Sequence, residues 1–155
     1  MPRRPVIEYR RAYEFASSPQ ELWDAIKEVD RFEDWWPWLE DFRLEGDSLK
    51  AGSVLYGVVA PPLPYRMRVE VDLTYSDPPR EIDALIHGDL EGVARLEMRP
   101  SSAGTTAEVS WTVEMMQRPM RLAARFGLPL LQWGHDRVVE MTVAGFRRRL
   151  EAGDT

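Results

Sequence analysis

The segment that most restricts how this chain can fold is its last long apolar-periodic stretch, Pro129 to Ala152, reading PLLQWGHDRVVEMTVAGFRRRLEA. At about 100° per residue, Leu131, Val138, Val139, Thr142, Gly145, Phe146 and Leu150 share one broad apolar arc, while Asp136, Glu140, Arg147 and Glu151 lie opposite. Such a helix buries its arc only against another layer of structure. His135 falls inside the arc, near Thr142 and Phe146. A sheet wrapped around the helix therefore puts this imidazole either in a packed core or in a cavity, and the function turns on which.

Nearly everything before that helix has the period of strands. Val6 to Phe15 alternates, with Ile7, Tyr9, Tyr13 and Phe15 on one face and Glu8, Arg10 and Glu14 on the other. Arg11 shares the aromatic parity, so it points inward or sits at a rim. Ser18-Pro19-Gln20-Glu21 starts a helix: Ser18 caps it, Pro19 takes the first position and Glu21 closes a capping box. A second short helical piece, Arg31 to Trp35, stops before Pro37.

Phe42 to Leu44 and Val54 to Ala60 are the next strands, and Pro61-Pro62-Leu63-Pro64 is a stiff extended loop at a sheet edge. Tyr65 to Tyr75 alternates with Tyr65, Met67, Val69, Val71, Leu73 and Tyr75 inward. Glu81 to Gly88, Leu90 to Arg99 and Thr106 to Met116 complete the set, and their short connections imply antiparallel neighbours. A short helical piece, Met120 to Phe126, is expected to break before Pro129, which would then open the main helix. The order predicts an α+β helix grip. A curved antiparallel seven-stranded sheet wraps the long C-terminal helix, with two short helices between strands 1 and 2.

Several function classes fall away on composition. A net charge of -6 argues against nucleic acid and anionic membrane surfaces. Arg147, Arg148 and Arg149 close a helix, where cations complement its dipole, and are expected to be solvated. With no cysteine there is no thiolate nucleophile or Cys-ligated metal. Of the two histidines, His87 has outward parity, and no metal-ligand spacing, nucleophile elbow or nucleotide loop occurs. No metal and no cofactor are expected. Neither a secretory apolar run nor a stretch of roughly 20 apolar residues is present, so a cytoplasmic protein without stable membrane insertion is expected. The size predicts a single domain over residues 1–155, as a monomer or homodimer.

Three stretches, FASSPQELWDAIKEVDRFEDWWPWL, GDLEGVARLEM with TTAEVSWTVE, and WGHDRVVEMTVAGFRRRL, resemble the START-like helix-grip superfamily called SRPBCC. Within it the chain is most similar to members described as polyketide cyclase/dehydrase or lipid-transport-like. The resemblance covers almost the whole chain and implies an apolar cavity between sheet and C-terminal helix. It does not by itself choose among lipid carriers, hormone binders, cyclases and quinone chaperones. Gly134 stands where related helices often carry Asn, and a cyclase's set of polar pocket residues does not map onto this chain one for one.

The residues expected to bind ligand are Tyr9, Tyr13, Tyr56, Met67, Trp111 and Met115, all inward by parity, with Val138 and Thr142 on the helix. Trp36 belongs with them. In the cluster Trp35, Trp36 and Trp38, the latter two are expected to diverge, one packing inward and the other at the rim. Gly134 and Gly145 are expected to leave space beside the sheet. His135 is the one catalytic candidate, as an acid/base lining the cavity or as a bonded core histidine. No carboxylate is expected to orient it, since Asp136 projects about 100° away around the helix.

The expected function is binding or transport of a small hydrophobic ligand: a lipid, fatty acid, polyketide or similar. The alternative is a cofactor-independent polyketide cyclase/dehydrase-type enzyme, with His135 as acid/base and Tyr9, Tyr13 or Tyr56 polarising a carbonyl. A third reading has the Pro61–Pro64 loop present itself to a partner protein.

Overall fold

The computed structural model describes the backbone of residues 6–63, 65–116 and 118–153, with all their side chains except those of 118–128, 130 and 153. Strand β1 (Val6–Phe15) leads into helix α1 (Pro19–Ile26), a single 3-10 turn (Val29–Arg31) and helix α2 (Phe32–Trp35). Six strands follow: β2 (Leu39–Glu45), β3 (Val54–Val59), β4 (Met67–Asp77), β5 (Glu81–Gly88), β6 (Leu90–Ser101) and β7 (Gly104–Met115). Helix α3 (Arg118–Gly153) ends the described chain.

All seven strands form one antiparallel sheet in the order β1-β7-β6-β5-β4-β3-β2. Every consecutive pair from β2 to β7 is a hairpin, so neighbours in sequence are neighbours in space. Only β1 crosses the sheet to pair with β7, from Val6 opposite Glu114 to Phe15 opposite Thr105. The chain thus leaves one edge at Phe15 and re-enters at the other through β2. Helices α1 and α2 bridge that gap. Helix α1 begins as its residues require: Ser18 and Glu21 satisfy each other's backbone N–H reciprocally, and Pro19 occupies the first turn. Its buried side, Leu22, Trp23 and Ala25, closes one end of the grip.

Two apolar clusters flank the space between sheet and α3. One gathers Phe15, Leu22, Trp35, Trp36, Met98 and Phe146 beneath α1 and α2. The other gathers Ile7, Met67, Ile86, Val113, Met115 and Leu131.

Three expectations are corrected. Helix α3 does not break at Pro129 but runs through it. Proline there removes one N–H bond to the preceding turn, yet the stretch before it, RPMRLAARFG, is rich in strong helix formers that carry the helix on either side. Tyr75 does not face inward. The β4–β5 register shifts between Leu73 and Tyr75, and an irregularity of that kind resets the alternation, leaving Tyr75 46% exposed. Finally, Arg147 and Arg149 are not merely solvated. Arg147 lies over the Phe15 ring and donates to the Glu14 carbonyl, while Arg149 donates twice to Glu28.

Candidate functional site: an apolar cavity under the long helix

The inward residues of β1 and β3–β7, together with one face of α3, enclose a cavity of about 460 Å³, within the usual range for a small-molecule site. Among the described residues no Asp, Glu, Lys or Arg lines it. Met67, Ile86, Met98, Val113 and Met115 form the sheet wall, and Leu131, Val138, Thr142 and Phe146 the helix wall.

Of the residues expected to bind ligand, Tyr13, Trp36, Met67, Trp111, Met115, Val138 and Thr142 line this cavity. Tyr56 does not. Leu55, Gly57 and Val59 take the inward positions of β3, so Tyr56 stands on the outer face, beneath the Arg43 guanidinium and donating to Glu45. An apolar-rich strand such as VLYGVV carries no alternation strong enough to reveal its parity. Tyr9 is also outside. It stacks on Trp111 with ring centroids 4.6 Å apart and borders a separate polar groove with Arg11, Gln132, Asp136, Glu140 and Arg147. Tyr13, Val139 and Val143 face both spaces and form the partition between them. Arg11 takes the rim position, exposed and 5.2 Å from the Tyr13 ring centroid.

Trp36 and Trp38 do not diverge. Both line the cavity, stacked at 5.5 Å and 13°. The backbone at Trp36 is extended, and in extended chain residues two apart project to the same side. Trp35 packs instead into the buried cluster against Phe32 and Phe146.

The polar atoms at the cavity wall are nearly all consumed. The Trp36 indole N–H donates to the Thr142 carbonyl at 2.9 Å, and the Thr142 hydroxyl donates to the Val138 carbonyl at 2.7 Å. The Tyr13 hydroxyl shares a 2.5 Å hydrogen bond with Tyr9. Burial first, then the Tyr9 hydroxyl, pushes the Tyr13 phenol up to about 12, so it stays protonated.

His135 is held at both nitrogens. The Trp111 indole N–H, which can only donate, donates to Nε2 at 3.0 Å, and Nδ1 lies 3.0 Å from Asp136 Oδ1. The proton is therefore on Nδ1 and points at the carboxylate. This corrects the expectation that no carboxylate orients the ring: the two side chains bend toward each other across adjacent helix positions. Asp136 is 52% exposed and His135 only 13%, so the pair spans from solvent to the cavity wall. The His135 hydrogen bond, aided by Gln132, holds the Asp136 carboxyl below its ordinary range against partial desolvation. The Gln132–Asp136 spacing of one helical turn was the available signal for this network.

The helix glycines leave less space than expected. A Cβ at Gly145 would run into the Trp35 carbonyl oxygen, so this glycine lets α2 pack against α3. At Gly134 the room is taken by Leu63 Cδ1, from the proline-rich loop between β3 and β4. That loop turns inward: Pro61 and Tyr65 line the cavity, while Pro64 lies outside the described residues. Tyr65 had the inward parity of Met67 but was not among the expected site residues.

Among the described residues one group could offer three metal ligands: Glu70 and Asp72 on β4 with His87 on β5. It sits on the outer face, where His87 has the outward position its parity implies. His87 bridges Asp72 and Glu91, and the Glu91 hydrogen bond raises its pKa. This ion network has no connection to the cavity.

The family model described as "polyketide cyclase / dehydrase and lipid transport" matches residues 7–151. No curated protein matches. Solved structures share the fold. TTHA0849 from Thermus thermophilus is 16% identical, with a TM-score of 0.73 over 97% of this chain and 100% of its own. SA2116 from Staphylococcus aureus, a protein of unknown function, is 12% identical, with a TM-score of 0.71 over 97% of each chain. Ms6760 from Mycobacterium smegmatis is 13% identical, with a TM-score of 0.66 over 98% of this chain and 99% of its own. With a helix-grip sheet, a cavity under its long helix and a family match over nearly its full length, the chain belongs to the polyketide cyclase/dehydrase and lipid transport family of the SRPBCC superfamily.

Proposed function

We propose that the protein binds and carries a small apolar molecule, such as a lipid, fatty acid or polyketide, in the cavity between the sheet and α3. The observation that carries this reading is the state of His135. Its Nε2 accepts from Trp111 and its Nδ1–H faces Asp136, so neither nitrogen is free to take a proton from a bound molecule. The remaining wall is aliphatic and aromatic and offers a substrate no charged group among the described residues. Burying an apolar molecule in such a space is favourable by about 25 cal/mol per Å² of surface removed from water. Native mass spectrometry of the purified protein should show a co-purifying apolar molecule, and Nile red should bind saturably with a blue-shifted emission. Absence of both would remove the reading.

A cyclase/dehydrase-type reaction is the second reading, and one observation favours it: the carboxylate–imidazole pair of Asp136 and His135 reaches the cavity wall. Chemistry there requires the Trp111 indole to swing away and free Nε2. His135→Ala would then abolish turnover of a polyketide substrate while its affinity stays the same. A variant that loses only stability identifies a structural histidine.

A further inference from the structure

We propose that the cavity selects an elongated, uncharged ligand with a single hydroxyl or carbonyl group, which it anchors on the Tyr65 hydroxyl. This inference rests on the apolar-carrier reading and narrows it.

The argument begins with an inventory of donors and acceptors. The polar side-chain groups of Tyr13, Trp36, Trp111, His135 and Thr142 at the wall all have partners within the protein. The Trp38 indole N–H has none but is enclosed by neighbouring atoms. Tyr65 is different. Its backbone N–H bonds the Leu63 carbonyl, yet its hydroxyl has no partner among the described residues. That oxygen lies 3.7 Å from where a Cβ on Gly134 would stand, against the helix wall of the cavity. Burial raises the phenol's pKa, so it remains a neutral hydroxyl able both to donate and to accept. A half-buried hydroxyl with an unmet hydrogen bond is completed by a ligand oxygen.

Charge decides the rest. No cationic side chain lines the cavity among the described residues. Beside Tyr65 and Tyr13 the arginines are engaged elsewhere: Arg66 pairs with Glu40 at the surface, and Arg11 lies over the Tyr13 ring at the rim. His135 presents no free donor to a ligand, because its Nε2 accepts from the Trp111 N–H and its Nδ1 faces Asp136. A carboxylate or phosphate entering this space would be desolvated with no counter-charge from the described residues, a cost far above what one phenol hydrogen bond returns. An alcohol, ketone or ester loses much less and gains the same bond.

Position sets the shape. The lining residues of α3 run from Leu131 to Phe146, a span of about 22 Å along the helix axis. Gly134, beside Tyr65, is near one end of that span, and Trp36 and Phe146 are toward the other. A polar head at Tyr65 therefore leaves the long dimension of the cavity for an apolar tail.

The test uses four ligands of matched chain: dodecane, lauryl alcohol, methyl laurate and laurate. Each is titrated into the purified protein at neutral pH, read by Nile red displacement and by tryptophan emission. The expected order places the alcohol and the ester at least about tenfold tighter than laurate, a difference of roughly 1.4 kcal/mol. Tyr65→Phe should weaken the alcohol and ester by about fivefold, leave dodecane unchanged and leave thermal unfolding unchanged. Laurate binding as tightly as lauryl alcohol, or a Tyr65→Phe protein that holds the alcohol as before, overturns this inference and leaves the carrier reading standing. Failure of Nile red and of all four ligands to bind overturns both.

Discussion

The Trp111 indole N–H on β7 donates to His135 Nε2 on α3 across 3.0 Å, the one side-chain hydrogen bond that joins the sheet to the long helix at the cavity wall among the described residues. Its removal exposes what the bond is for. His135→Ala leaves the indole N–H without its acceptor and Asp136 with Gln132 alone, and should destabilise the protein by about 1–3 kcal/mol in urea unfolding. His135→Gln, whose amide oxygen can accept from the indole, should recover part of that loss. Equal losses in the two variants would mean that packing of the ring, and not the hydrogen bond, is what stabilises.

The two glycines of α3 should respond oppositely to alanine. In each case the helix gains about 1 kcal/mol of intrinsic propensity. At Gly145 the new methyl meets the Trp35 backbone carbonyl, which cannot move without shifting α2, and overpacking of this kind costs about 1–3 kcal/mol. Gly145→Ala should therefore lower the melting temperature. At Gly134 the obstacle is the end of the Leu63 side chain, which can rotate away. Gly134→Ala should leave stability level or slightly raised and should speed Nile red exchange by displacing the loop from the helix. Matched stability changes at the two sites would sink this distinction.

Arg149 near the end of α3 grips Glu28 after α1 with two hydrogen bonds, at 2.6 and 3.0 Å. The guanidinium holds the Glu28 carboxyl below its ordinary range, against some desolvation. A depressed carboxylate contributes stability above its unfolded pKa and loses it as pH falls through the lower folded value. Glu28→Gln should cost about 1 kcal/mol at neutral pH, since the pair is partly solvated, and nothing at strongly acidic pH. Denaturation curves at the two pH values check both halves.

On the outer face, His87 should titrate above the ordinary 6.5, because Glu91 hydrogen-bonds its ring and Asp72 and Glu70 add attraction. A raised histidine binds its proton more tightly in the folded state. Its contribution is full below the unfolded pKa and disappears as pH rises through the folded one. Proton NMR of the imidazole should show the elevated midpoint, and Glu91→Gln should bring it down. A midpoint at or below 6.5 would contradict the network.

How much of this was legible in the chain follows from how local each signal is. The capping box at Ser18 and Glu21, the alternation of β1 and the apolar arc of α3 are short-range patterns, and all three are present where the residues place them. The inward sets of β4, β7 and α3 followed from period alone, and they supplied part of the cavity wall, with Met67, Trp111, Met115, Leu131, Val138 and Thr142 among it. Where period was weak, as in β3, Tyr56 was put on the wrong face. Where an irregularity intervened, Tyr75 was too.

By itself, then, the amino-acid order determined the strands, the short helices, their sequence around the grip and the apolar character of what the grip encloses, though not the continuity of α3 through Pro129. Local propensity and pattern act over a few residues and need no partner. Tertiary structure alone decided the roles of individual polar atoms. Trp111 and His135 are 24 residues apart, and Trp36 meets the Thr142 carbonyl across 106. Whether a hydroxyl or imidazole is satisfied depends on which distant strand the sheet brings against the helix. On that depends the placing of His135 between Trp111 and Asp136, and of the Tyr65 hydroxyl at the cavity wall with no partner among the described residues.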